Sequence, residues 1–325
     1  MKEGKLDFDD LRSIILNNKT VKRNEVKVRN DVGEDCTIID FGEHEGIFST
    51  DPITGASENV GKLAVHINCN DIASSGGEPI GILVTILAPT SASLEDINKV
   101  MSEIDEEAAK INVEIIGGHT EVTSAVNKIV ISVTVIGKNL KGKSVKTAGA
   151  EINDDVIVTK SIGIEGTHIL INEYENRIKR ILSEEEIKFG KNLINEISVL
   201  EEGKIGGEFG VNSMHDITEG GLLGGLFEVA MASNKGFKIY KDRIPMLEIT
   251  KKVCEEFKID PLRLISSGSM LITTKNGEKL VERLNKQGIS ASIIGKICER
   301  DGILVDNEEE IKVEPPKRDE LFNVE

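Results

Sequence analysis

The chain has 325 residues, 39% of them hydrophobic and 30% charged, which fits a globular protein of two domains and excludes a disordered one. Its 56 acidic residues against 40 basic ones leave a formal charge of −16, which repels phosphate backbones and argues against nucleic acid as a partner. The same charge does not exclude a nucleotide, because clustered carboxylates hold Mg²⁺ and the metal then holds phosphates.

With no Trp, two Tyr and nine Phe, the cores must be filled mainly by Ile, Val and Leu. The N-terminal "MKEGKLDFDD" lacks a signal-peptide core, and the longest apolar run, "IGILVTILAP", is too short to span a bilayer. Cys36, Cys69, Cys254 and Cys298 form no CxxC pair. They read as reduced thiols, and the expected location is cytoplasmic, away from membranes.

Residues 1–30 are polar and read as an arm or a short helix followed by a loop, with one apolar patch at "LRSIIL". "CTIIDFG" and "GIFSTDPIT" predict β-strands. A helical pattern runs from Asn59 to Ser75, with Gly76-Gly77 and Pro79 as its stop. "IGILVTILAP" predicts a fully buried strand. "SLEDINKVMSEIDEEAAKIN" predicts an amphipathic helix with Ser93 as N-cap, and "VEIIGG" and "NKIVISVTVIG" two more strands. Alternating strands and helices give an α/β layer arrangement.

The aperiodic "KNLKGKSVKTAGAEIND" marks the expected boundary between domains at 31–145 and 146–325. Beyond it, "DDVIVTKSIG" predicts a strand. "SEEEIKFGKNLINEISVLEEGKIGGEFG" is mostly helical, and "MHDITEGGLLGGLFEVAMASN" reads as a loop leading into a glycine-studded helix. A strand at "GSMLITTK", a helix at "GEKLVERLNKQG" and a strand at "SASIIGKI" follow.

Four aspartates sit beside small or apolar residues instead of on a lysine-rich face: Asp35 in "GEDCTIID", Asp51 in "FSTDPIT", Asp71 in "VHINCNDIASSGGEP" and Asp216 in "MHDITEGG". A carboxylate so placed must be paired, hydrogen-bonded or on a metal. Each has an ordinary explanation, since Asp51 before Pro52 forms turns and Asp216 could cap a helix. Four together favour a hard-cation site such as Mg²⁺. Two glycine-rich turns, Gly117-Gly118 before His119, Thr120 and Glu121, and Gly220-Gly221 opening a helix, let backbone approach a phosphate. Neither is a P-loop or a GxGxxG turn, and a glycine pair before a helix is as often only a tight turn. His119 reads as a base, a ligand or a hydrogen-bonded loop residue.

"STDPITGASENVGKLAVHINCNDIASSGGEPIGILVTILAP", "IIGGHTEVT" and "MHDITEGGLLGGLFEVA", in that order, resemble the aminoimidazole ribonucleotide synthetase superfamily. The group includes selenophosphate synthetase, thiamine-monophosphate kinase and, nearest in pattern, the hydrogenase expression/formation protein. The resemblance covers about Gly33 to Gly295. It implies a two-domain α+β fold whose N-terminal domain forms a homodimer through a β-barrel-like interface. It also implies ATP and Mg²⁺ in the cleft between domains, with phosphoryl transfer to an oxygen of an acceptor left unidentified. Asp35, Asp51, Asp71 and Asp216 match its metal and nucleotide positions, with Glu121 as a further metal ligand. Asn70, Gly117, Gly118, Thr120, Gly220 and Gly221 fall beside the nucleotide, and His119 and Asp216 are the catalytic candidates.

This chain departs from the pattern in three ways. His119 stands where many members carry Asp, and Glu219 where many hydrogenase-type members carry Arg. The hydrogenase protein ends in a modified cysteine, whereas the last cysteine here is Cys298. A non-catalytic nucleotide-binding partner in metalloenzyme maturation is the alternative expectation.

Overall fold

A computed structural model describes residues 4–6, 8–17, 21–29, 31–54 and 58–324. Part of the expected N-terminal arm lies outside these. Within the arm, the "LRSIIL" patch falls in helix α1 (Phe8–Asn17), and a short strand β1 (Val26–Val28) follows that the sequence pattern did not suggest. The first half continues with β2 (Thr37–Asp40), β3 (His44–Ile53), α2 (Val60–Ser74), β4 (Glu78–Pro89), α3 (Leu94–Lys110), β5 (Glu114–Thr123) and β6 (Val130–Leu140). Its sheet has the order β1-β2-β3-β6-β4-β5, and among its pairings only β4–β5 is parallel.

The two helices of this half form for different reasons. Helix α3 is amphipathic and is started by a capping box between Ser93 and Asp96. Helix α2 is buried on nearly every side. It packs on β3, β6 and α3 of its own half, and on the second half as well. A helix enclosed in this way shows no polar stripe, which is why its sequence reads as apolar all round.

The second half contains β7 (Asp155–Thr159), α4 (Ile164–Glu173), α5 (Glu175–Ile178), α6 (Glu184–Asn192), α7 (Leu200–Phe209), β8 (Ser213–Ile217), α8 (Gly221–Ala232), β9 (Gly236–Tyr240) and α9 (Glu248–Phe257). It ends with β10 (Ser269–Thr274), α10 (Gly277–Lys286), β11 (Ala291–Cys298), β12 (Gly302–Asp306) and β13 (Glu309–Val313). The sheet order is β13-β12-β9-β11-β7-β10-β8, with β12–β9 parallel. One apolar core runs without a break from Ile47, Ile72 and Ile131 of the first half to Leu170, Val253 and Leu264 of the second. The architecture is therefore two α/β layers with mixed sheets joined through α2.

Three expectations need correction. "MHDIT" is strand β8, not a loop; its Asp216 pairs in register with Met270 of β10. "IIGGHTEVT" is edge strand β5, not a turn. Strand β4 is buried on one face only, because Ile80 and Leu83 point away from α2 and are 41% and 37% exposed. No helix among the described residues is long and apolar enough to cross a membrane.

Candidate functional site

Asp35, Asp51, Asp71 and Asp216 come from the approach to β2, the end of β3, the last turn of α2 and the middle of β8. These elements converge because α2 packs against both β3 and β8. Asp35 and Asp51 line an open cleft of about 580 Å³, together with Ser49, Cys36 and Lys5. Asp71 lies behind it and accepts a hydrogen bond of 2.5 Å from Ser49 Oγ. Asp216 is 1% exposed, and its Oδ2 has no hydrogen-bond partner.

The carboxyls strain one another electrostatically. Burial, then Asp216, Asp51 and Asp35, push Asp71 well above the usual carboxylate range. Burial and Asp35 push Asp216 up to about 7. Burial also raises Asp51, against the opposing pull of Lys5.

The residue before Asp216 was not foreseen. His215 lies between two carboxylates, with Nδ1 2.6 Å from Asp35 Oδ2 and Nε2 2.7 Å from Glu228 Oε2. Burial opposes its charge, but Asp35 and Glu228 outweigh it and hold the imidazole protonated. Glu228 is buried too, yet Lys5 and His215 hold it down to about 2. A signal was available, since Glu228 is the one charged residue of "GLLGGLFEVAMA". It stands as an acid in an apolar helix just as Asp71 does.

Asn70 has a different task from the one expected. Its Nδ2 donates to the Ile197 carbonyl at 2.8 Å and its Oδ1 accepts from the Val199 N–H at 2.9 Å. Both ends of the amide are thus spent on joining α2 to the second half. Gly117 and Gly118 also have a packing reason: a Cβ on Gly118 would fall 1.9 Å from the Val84 carbonyl of β4. His119, Thr120 and Glu121 lie on the outer edge strand, with His119 Nε2 3.6 Å from Glu121 Oε2 and both side chains exposed. Since β5 is three places from β3 in the sheet, roughly 14 Å separates it from the strand that carries Asp51 within one chain.

Gly220 and Gly221 take positive φ, +88° and +62°, at the start of α8, where a Cβ on Gly221 would fall 2.7 Å from the Leu264 carbonyl. That helix end already has an anion, since the Gly220 N–H donates to Asp319 Oδ2 at 2.6 Å. The segment at residues 4–6 lies beside it. Lys5 donates its backbone N–H to Glu219 Oε1 at 2.6 Å, and its Nζ is 3.6 Å from Glu228 Oε1. Glu228, then Asp51 and Asp35, raise the Lys5 pKa despite desolvation.

Among the described residues no three His, Cys, Asp or Glu groups close on one point as a ready metal cage. Mg²⁺ does not require one, because it keeps waters and takes one or two carboxylates plus phosphate oxygens. The unpartnered Asp216 Oδ2 and the mutually raised carboxyls fit such an ion. No thiol is poised to react: burial pushes Cys69 and Cys254 up to about 12 and raises Cys36 and Cys298 as well.

Residues 33–139 match the AIR synthase related protein N-terminal domain, and residues 151–306 its C-terminal domain. The chain belongs to the AIR synthase related protein family. Within that family it is similar to a protein of Methanocaldococcus jannaschii named as a hydrogenase expression/formation protein, with 30% identity over 93% of this chain and 91% of that one. It is also similar to the carbamoyl dehydratase HypE of Rhizobium leguminosarum, with 25% identity over 78% of this chain and 72% of the relative. Its fold superposes on a solved structure of AaThiL complexed with AMPPCP and TMP, with a TM-score of 0.73 and 20% identity over 93% of each chain.

Proposed function

We propose that this AIR synthase related protein is an ATP- and Mg²⁺-dependent phosphoryl-transfer enzyme that activates an oxygen of its acceptor. The observation that carries the reading is the mutual electrostatic crowding of Asp51, which lines the cleft, with Asp71 and Asp216 buried behind it, Asp216 Oδ2 being unpartnered. Separate structural reasons for three such carboxyls are hard to supply, whereas one divalent cation relieves them all. AMPPCP, in which a methylene replaces a bridging oxygen of ATP, is bound by the AaThiL structure of the same fold, and that supports a nucleotide here.

Asp51, Asp71 and Asp216 would hold the metal, with Asp35 at the nucleotide edge. Bound Mg²⁺ supplies charge neutralisation at the phosphates. Ser49 fixes the Asp71 carboxyl, and protonated His215 fixes Asp35. The exposed apolar residues Ile80 and Leu83 of β4 and Ile116 of β5 support a homodimer formed on the sheet face away from α2. In that dimer His119, Thr120 and Glu121 would serve the partner's cleft instead of their own.

Isothermal titration with ATP, with and without Mg²⁺, tests the reading. We expect Mg²⁺-dependent binding in the wild type and its loss, by tenfold or more, in Asp71→Asn and Asp51→Asn with the fold intact by circular dichroism. Equal ATP affinity in both variants and the wild type would refute the site assignment.

A further inference from the structure

Beside the carboxylate cleft lies a second cavity of about 300 Å³, which shares Asp51 and Lys5 with it. Ile53, Leu63, Ile67, Ile169 and Ile265 contribute to its apolar wall. At its floor stands Glu165, in the first turn of α4, which neither the sequence pattern nor the nucleotide site uses. Glu165 is 3% exposed, and its Oε2 has no hydrogen-bond partner. Ser267 stands beside it, fully buried, and is the hydrogen-bonding neighbour that eases its charge. A buried carboxyl oxygen without a partner is costly in a folded protein, and a cavity lined by one is prepared for a ligand that completes it.

The charge of the lining narrows the ligand. Asp51, Glu165, Glu219 and Asp319 all face the cavity, and among the described residues Lys5 is its one cation. Asp319 is already satisfied by the N–H groups of Gly220 and Leu321. An anionic ligand would meet repulsion from the remaining acids, while Glu165 only accepts when ionised and gains one O–H donor when neutral. Burial pushes Glu165 up to about 7, with Ser267 opposing and Asp319 adding to the rise, so both states are available near neutrality.

Building on the phosphoryl-transfer reading above, we propose that this cavity is the acceptor subsite, and that it takes a small non-anionic molecule with an apolar body and an N–H head that donates to Glu165. The cavity opens toward Asp51, so a group on that molecule would face the metal and nucleotide cleft.

A matched set of probes with one apolar body and different heads tests this: isobutylammonium, isobutyramide and isobutyrate, followed by ligand-observed NMR on the full-length protein. We expect the ammonium and amide probes to bind at least tenfold more tightly than isobutyrate. Affinity for isobutylammonium should rise about tenfold from pH 6 to pH 8, as Glu165 loses its proton, and the rise should vanish in Glu165→Gln. Equal binding of isobutyrate, no binding of any probe, or a flat pH profile in the wild type would overturn the proposal, and the wild-type profile needs no variant to fold. A parallel titration with Mg²⁺·ATP keeps the two readings apart. Retained nucleotide binding with no discrimination among probes overturns the subsite alone. Discrimination among probes without nucleotide binding overturns the phosphoryl-transfer reading alone.

Discussion

Asp216 is ionised only at a cost, because burial and Asp35 push its carboxyl up to about 7 against an ordinary value of 3.8. The folded protein keeps this proton across a pH range in which the unfolded chain has lost it. The stability associated with Asp216 is therefore present at about pH 4 and is lost as pH rises toward 7. Asp216→Asn should accordingly stabilise the protein at pH 8 by about 2–4 kcal/mol and have little effect near pH 4. Thermal unfolding at the two pH values checks this, and equal shifts at both would contradict it. Stability gained by removing a carboxyl is the usual mark of a residue kept for function. Asp35, Asp51, Asp71 and Asp216 were legible in the sequence because each is an acid in an apolar setting. Glu165 obeys the same rule but lies in a helix without a nearby motif, Glu228 obeys it inside the glycine-rich motif that also holds Asp216, and His215 becomes meaningful only once β8 brings it between Asp35 and Glu228.

At the scale of elements, most of the fold could be read from period and punctuation, down to the Ser93 cap of α3. What could not be read was β8, whose five residues are buried on both faces, so that no alternation distinguishes strand from loop. The strand expected at Val113–Gly118 is the start of β5, but its continuation to Thr123 was obscured by the glycines, which serve close approach to β4 and carry no turn. Its face away from α2 bears Ile116 at 47% exposure, an unusual place for a β-branched residue on a sheet edge. If this face forms the dimer, Ile116→Glu should yield a monomer by sedimentation velocity at concentrations where the wild type is dimeric. An unchanged sedimentation coefficient would move the interface elsewhere.

For the whole molecule, the relation between the halves rests on α2 and its Asn70. Removing that amide leaves a buried carbonyl at Ile197 and a buried N–H at Val199 without partners. Asn70→Ala should cost about 2–4 kcal/mol, measurable by urea denaturation, and a loss below about 0.5 kcal/mol would show that water replaces the amide. This long-range clamp was invisible to the sequence, because 127 residues separate Asn70 from Ile197 and no local pattern links them.

The segments at residues 4–6 and 319–324 meet at the second cavity, where one brings an ammonium to Glu228 and the other a carboxylate to the start of α8. The Lys5–Glu228 ion pair is an internal salt beside the acids proposed to hold a metal ion. Loading the site is then an ion exchange, and the apparent affinity for Mg²⁺·ATP is the intrinsic one reduced by the fraction of molecules in which this salt has been released. Lys5→Met should tighten Mg²⁺-dependent ATP binding several-fold by titration calorimetry, while weaker binding would make Lys5 a phosphate contact instead. A site that carries its own counter-ions is never bare, and its acids are protected from stray cations until the nucleotide brings the one that outcompetes them.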